Sequence, residues 1–188
     1  MLGKLLIFSA PSGAGKTTIV KHLLTTLPNL EFSITACSRA KRECEVDGKD
    51  YYFITVDEFK RRIANDDFVE WEEVYPGSFY GTLKSEIERI WAKNHAVVLD
   101  VDVMGGINLK KKFGTSALSV FVMPPSIDVL KQRLISRGTE TPESLNKRVG
   151  KAAKEMTYSN QFDRIIVNEN LEKSYTEAEQ LVNVFLNQ

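Results

Sequence analysis

Residues Ala10-Pro11-Ser12-Gly13-Ala14-Gly15-Lys16-Thr17 have the types and spacing that hold a polyphosphate. They match the pattern G-x-x-x-x-G-K-[ST] at every fixed position but the first, where Ala10 replaces glycine. Backbone N–H groups of such a loop curl around a β-phosphate. Gly13 and Gly15 permit the dihedrals and close approach this requires. Lys16 supplies a cation to the β- and γ-phosphates, and the Thr17 hydroxyl reaches a phosphate-bound Mg2+. A ligand-free glycine turn between strand and helix is the plainer reading, but G-x-G-K-T directly after an apolar run is a more specific arrangement than that. The loop names a nucleotide, not a reaction.

Other residues carry chemistry further along. Asp100 and Asp102 close the apolar run Val97-Val98-Leu99. A carboxylate at the C-terminal end of a parallel strand faces the ligand crevice, where phosphate-loop enzymes keep an acid near Mg2+. Arg39 and Arg42 lie three apart in a charged loop, and Arg133 and Arg137 lie four apart on a helical stretch, with Arg148 beyond. Taken singly, such arginines read as solvated surface charge, Tyr51 and Tyr80 as core aromatics, and Glu70 as a surface acid beside Trp71.

The elements that must position these residues are legible as periodicity. Residues 4–9, 96–102, 118–123 and 164–167 are continuous apolar runs, as expected of strands buried on both faces of a parallel sheet. Helical patterns span 16–27, 82–94, 126–136, 142–158 and 171–186, with Thr141 as a cap and Pro142 in the first turn of the fourth. Alternating strands and helices predict an α/β fold. Residues 32–80 break the rhythm with a turn at Asp47-Gly48, aromatic runs such as Tyr51-Tyr52-Phe53-Ile54, and a short helix over 56–65, which suggests an inserted antiparallel lobe.

Composition sets the bounds. The chain has 188 residues, the length of one domain with an inserted lobe, and 25 Lys plus Arg balance 25 Asp plus Glu. That balance argues against nucleic-acid binding. No run reaches the ~20 apolar residues of a membrane span, and no signal peptide is expected. Two cysteines, Cys37 and Cys44, fit a reducing compartment, and with His22 and His95 they make no metal-site spacing.

Read together, the motifs resemble the guanylate kinases over roughly residues 4–185. The resemblance runs from the phosphate loop through Gly48-Lys49-Asp50-Tyr51, Glu70-Trp71, Tyr80-Gly81-Thr82, Asp100-x-Asp102, Arg137-Gly138-Thr139-Glu140-Thr141 and Asn146-Lys147-Arg148 to Ile166-Val167-Asn168. It implies a phosphate-loop core (1–31, 83–125 and 159–188), a GMP-binding lobe (32–82) and a helical lid (126–158). It implies ATP bound by residues 10–18, namely Ala10, Pro11, Ser12, Gly13, Ala14, Gly15, Lys16, Thr17 and Thr18, with Arg133 and Arg137. The GMP phosphate falls to Arg39, Arg42, Tyr51 and Tyr80, and the base to Thr35, Glu70, Thr82 and Asp102. Mg2+ falls to Thr17 and, through water, Asp100, while Lys16, Arg39, Arg137 and Arg148 act on the transferring group. Guanine offers N1–H and N2 amino donors side by side to one carboxylate, whereas adenine N1 would repel it, so Glu70 gives a reason to choose GMP.

The family often carries glutamine where Met104 stands here, which leaves the local acceptor contacts open. The implied reaction is direct transfer from ATP to GMP or dGMP in the cytoplasm, by a monomer or small homo-oligomer, with no nucleic acid or membrane. Two rivals are a kinase of another nucleotide or metabolite, opposed by Glu70, and a peptide-binding scaffold domain, opposed by the intact Gly15-Lys16-Thr17.

Overall fold

The computed structural model describes residues 3–136, 138 and 141–188. Its main sheet has five parallel strands: β1 (Leu5–Ser9), β2 (Leu30–Phe32), β7 (Ala96–Val101), β8 (Ala117–Met123) and β9 (Arg164–Val167), in the order β2-β7-β1-β8-β9. In β1, β7 and β8 side chains alternate between two buried faces, which is why these strands read as unbroken apolar runs; β9, expected to be buried on both faces, lies at the sheet edge and buries only Ile166. Leu6 and Phe8 face a cluster completed by Ile19 and Leu23 of α1 (Lys16–Thr26), Leu130 and Leu134 of α5 (Ile127–Ser136), Ala152 of α6 (Pro142–Met156) and Val182 of α7 (Leu171–Leu186). Leu5 and Ile7 face a second cluster with Ile87 and Ile90 of α3 (Lys84–Trp91) and Leu109 of α4 (Val103–Phe113). Each of the buried Val, Leu, Ile and Phe side chains contributes about 1.5–3 kcal/mol of transfer free energy.

A second sheet, ordered β4-β3-β6-β5, holds β3 (Ala36–Cys37), β4 (Tyr52–Phe53), β5 (Phe68–Tyr75) and β6 (Ser78–Leu83). It is mostly antiparallel, as expected, although β3 and β4 pair in parallel. Helix α2 (Val56–Ala64) starts at Thr55, whose side chain accepts from the Glu58 N–H, and it buries Phe59 against Phe68, ring centroids 4.4 Å apart. Ala36, Phe59, Phe68, Phe79 and Leu83 form a core separate from those of the main sheet.

Two elements were not expected from the sequence. β2 is only three residues long, and α4 contains Gly105-Gly106, which depress helix propensity. The helix expected to begin at 82 begins at Lys84, because Thr82 and Leu83 are held in the β5–β6 ladder. Phe32, placed in the expected lobe, pairs in the main sheet, and Leu83, placed in the expected core, pairs in the second. Cys37 is buried and Cys44 exposed, and both are free. No helix among the described residues is long and apolar enough to cross a membrane.

Candidate active site

The phosphate loop leaves β1 after Ser9 and enters α1 at Lys16. Gly13 and Gly15 both sit at φ +97°, where side chains are strained. A Cβ on Gly15 would also come within 2.1 Å of Asn168 Nδ2. Asn168, buried at the end of β9, donates from Nδ2 to the Ala14 carbonyl at 2.7 Å and accepts from the Ser174 hydroxyl at 3.2 Å. Arg133 donates to the carbonyls of Asn168 (2.9 Å) and Ala14 (3.4 Å). The loop is therefore braced from behind by β9 and α5. Ala10 and Ala14 pack into the first core cluster, and Ala10 has no positive φ, so the position does not require glycine.

Strand register places the acid beneath the loop. Phe8 lies opposite Asp100 and Ser9 opposite Val101, so the end of β7 reaches the start of α1. Lys16 Nζ pairs closely with Asp100 Oδ1 and donates to the Val101 carbonyl at 2.8 Å. The Thr17 hydroxyl donates to Asp100 Oδ2 at 3.0 Å. A hydroxyl and a carboxylate side by side are hard oxygen donors. They fit Mg2+, which keeps most of its waters and takes only one or two protein oxygens beside substrate phosphates. Among the described residues no cluster of three or more His, Cys, Asp or Glu offers a full protein cage.

Across the cleft, β5 and β6 bring Glu70 opposite Thr82, and the Thr82 hydroxyl donates to Glu70 Oε1 at 2.7 Å. Burial pushes the Glu70 carboxyl up to about 7, aided by the Asp102 charge and opposed by Thr82. Asp102 follows β7 and caps α4, accepting from the Gly105 N–H at 3.0 Å. Gly105 fits there because it lacks a side chain: a Cβ would lie 2.7 Å from Asp102 Oδ1 and 2.8 Å from Glu70 Oε2. Met104, at the position where the family often has glutamine, is exposed.

One cavity of about 310 Å3 joins these parts. Its walls include the loop residues Ala10, Pro11, Ser12, Gly13, Gly15, Lys16, Thr17 and Thr18, with Asp100 and Asp102. On the other side stand Thr35, Arg39, Arg42, Tyr51, Glu70 and Tyr80, and over the top Arg148. Arg148 Nη1 donates to the Ser12 hydroxyl at 2.9 Å. Thr82, fully buried, reaches the cavity only through Glu70, while Ala14 and Arg133 stand behind the loop. Arg137 lies outside the described residues. Burial pushes the Tyr51 phenol up to about 12, so it stays a neutral donor.

Sequence reasoning missed several residues here. Tyr75, Lys151 and Glu155 line the same cavity, and Lys151 Nζ lies 4.7 Å from the Tyr75 ring centroid, joining α6 to β5. Asn168 stood in a quoted motif without a role; a polar residue closing an apolar parallel strand was the available signal. Glu45, which accepts from both terminal guanidinium nitrogens of Arg39, had no signal beyond its charge.

A phosphate loop and a base-sized acidic pocket opening into one cleft is the layout of a phosphate-loop nucleoside monophosphate kinase. The family model described as guanylate kinase matches residues 2–184. A guanylate kinase of Bacteroides thetaiotaomicron is 52% identical over 187 residues, covering 100% of this chain and 92% of the relative. One of Porphyromonas gingivalis is 51% identical over 169 residues, covering 89% and 90%. The crystal structure of guanylate kinase from Anaplasma phagocytophilum superposes with a TM-score of 0.80 at 29% identity, covering 97% of this chain and 86% of that one. This chain belongs to the guanylate kinase family.

Proposed function

We propose that this chain transfers the γ-phosphoryl group of ATP to the phosphate of GMP or dGMP, giving ADP and GDP or dGDP, with Mg2+ bound to the donor. The observation that carries the reading is the single cavity with Lys16 and Asp100 at one end and the Glu70–Thr82 pair at the other. The loop N–H groups and Lys16 hold the donor phosphates. Thr17 and Asp100 would hold Mg2+, which supplies charge neutralisation between the β- and γ-phosphates. Glu70 accepts from N1–H and N2 of guanine, with Thr35 and Asp102 beside it. Arg39, Arg42, Tyr51 and Tyr80 orient the acceptor phosphate.

The acceptor phosphate is already an anion, so no general base is needed, and catalysis is positioning plus neutralisation of spread negative charge. Arg148 on α6, with Arg137, acts on the transferring group when residues 126–158 close as a lid over the cleft. Residues 32–82 act as the acceptor lobe. Closing both excludes water and suppresses ATP hydrolysis. The balanced charge and free thiols suit a cytoplasmic enzyme. The test is turnover of each nucleoside monophosphate with ATP and Mg2+. GMP should be the preferred acceptor, and equal or faster turnover of AMP or UMP would overturn the guanine assignment.

A further inference from the structure

Arg39 lines the acceptor end of the cavity, yet its paired N–H groups are already committed. Nη1 donates to Glu45 Oε2 at 2.7 Å and Nη2 to Glu45 Oε1 at 2.6 Å, a two-point grip that planar guanidinium and carboxylate make well. Nη1 also donates to the Ala40 carbonyl at 2.9 Å, and Nε to the Tyr80 hydroxyl at 3.1 Å. A guanidinium carries five N–H groups, so these four bonds leave one, on Nη2. The Tyr51 and Phe53 rings lie 4.9 and 5.4 Å from the guanidinium carbon and pack against the group. Arg42, by contrast, has an exposed side chain whose nearest acid oxygen, on Glu45, is 3.8 Å away.

Glu45 is itself fixed. Its side chain is only 12% exposed. Its carboxylate accepts from the Arg42 backbone N–H at 2.9 Å, and its own N–H donates to the Arg42 carbonyl at 3.1 Å, closing a turn. The Arg39 hydrogen bonds hold its carboxyl down to about 2. A carboxylate tied to both backbone and guanidinium cannot leave without opening the turn that carries Arg42.

We propose that Glu45 is a positioning residue of the acceptor site. It clamps Arg39 edge-on, so that Arg39 offers the acceptor phosphate a single aligned N–H and hands the bidentate grip to Arg42. This rests on the GMP reading of the cavity. The alternative is a competitor: a carboxylate standing where the phosphate must go, displaced when GMP binds. The two make opposite predictions.

The experiment compares the full chain with its Glu45→Gln variant, which keeps the shape but sets an amide N–H against the Arg39 donors. GMP and guanosine binding are titrated by calorimetry. The positioning role raises the dissociation constant for GMP about tenfold or more, the worth of one aligned charge-assisted bond. It leaves guanosine, which lacks the phosphate, and KM for ATP unchanged. Tighter GMP binding would identify a competitor and overturn the proposal, as would unchanged GMP binding. Equal weakening of GMP and guanosine would mean a general loss of lobe structure and would also overturn it. Failure of the unaltered chain to bind GMP at all would instead sink the functional reading on which the proposal rests.

Discussion

The Thr82 hydroxyl donates to Glu70 Oε1 at 2.7 Å across the β5–β6 ladder, and this bond fixes the carboxylate while leaving both oxygens a lone pair for a ligand. The burial that raises Glu70 to about 7 makes the site sensitive to pH. Guanine N1–H and N2 need the ionised carboxylate. Below pH 7 the free protein holds a proton there that GMP must expel, so KM for GMP should rise, by up to about tenfold per unit. The Glu70→Gln variant should lose about 5- to 150-fold in GMP kcat/KM, the cost of an unpaired buried polar group. It should also lose this pH dependence. The second ionisation of the GMP phosphate is common to both proteins, so the difference between their profiles isolates Glu70. Identical profiles would rule Glu70 out as the reader of the base.

The same shift has a stability consequence of defined sign. The folded value lies above the ordinary 4.5, so the protonated form favours folding. That contribution is complete below pH 4.5 and is lost as pH rises towards about 7. Thermal unfolding of the ligand-free chain should show this loss relative to Glu70→Gln across that window.

Gly105→Ala separates stability from substrate choice. Alanine is favoured over glycine within a helix by about 1 kcal/mol, and displacing the Asp102 cap costs about as much, so Tm should hold. Its Cβ would press on Asp102 Oδ1 and Glu70 Oε2, which can move only by leaving their places beside the base. GMP kcat/KM should fall about tenfold, one hydrogen bond's worth. A raised Tm with unchanged GMP kinetics would show that the two acids are not held by this contact.

Gly15→Ala should damage both fold and donor binding. A left-handed residue with a side chain costs about 1–2 kcal/mol, and the Cβ strikes Asn168 Nδ2, which secures the loop. With about 1 kcal/mol more for the lost hydrogen bond, Tm should fall by about 4–12 °C for a chain of this length. ATP affinity should collapse. A scan showing no shift would contradict the bracing role of Asn168.

Lys16→Met should reduce transfer about a hundred- to thousandfold, the usual cost of one fixed donor to transferred charge. GMP binding should persist, since Lys16 stands at the donor end of the cavity beside Asp100. Calorimetry that finds GMP affinity lost in a folded variant would defeat the two-ended layout.

Much of this was readable in the chain, for identifiable reasons. β1, β7 and β8 are buried on both faces, so their residues are apolar in succession and stand out, whereas β9 is an edge strand that buries only Ile166. The phosphate loop was readable because its chemistry lies in contiguous residues. α4 was hidden by Gly105 and Gly106, whose absent side chains are required by Asp102 and Glu70 and by Ser9 and Phe162. That is a tertiary demand overriding local propensity. The helical pattern over 82–94 ran two residues too far back, because the Thr82 and Leu83 backbone pairs in the β5–β6 ladder and the Thr82 hydroxyl is spent on Glu70. Asn168 and Ala14 are 154 residues apart, and no local pattern announces such a contact.

The separate core of the second sheet has a consequence for how the molecule opens to solvent. Phe59, Phe68, Phe79, Ala36 and Leu83 pack on one another rather than on Leu6, Phe8 or Val98. Segments with their own small core come apart at lower free energy than the whole. Amide deuteration should therefore reach the β5 and β6 ladder while β1 and β7 remain protected. A base lodged against Glu70 and Thr82 would slow it there first, and so register acceptor occupancy without any turnover.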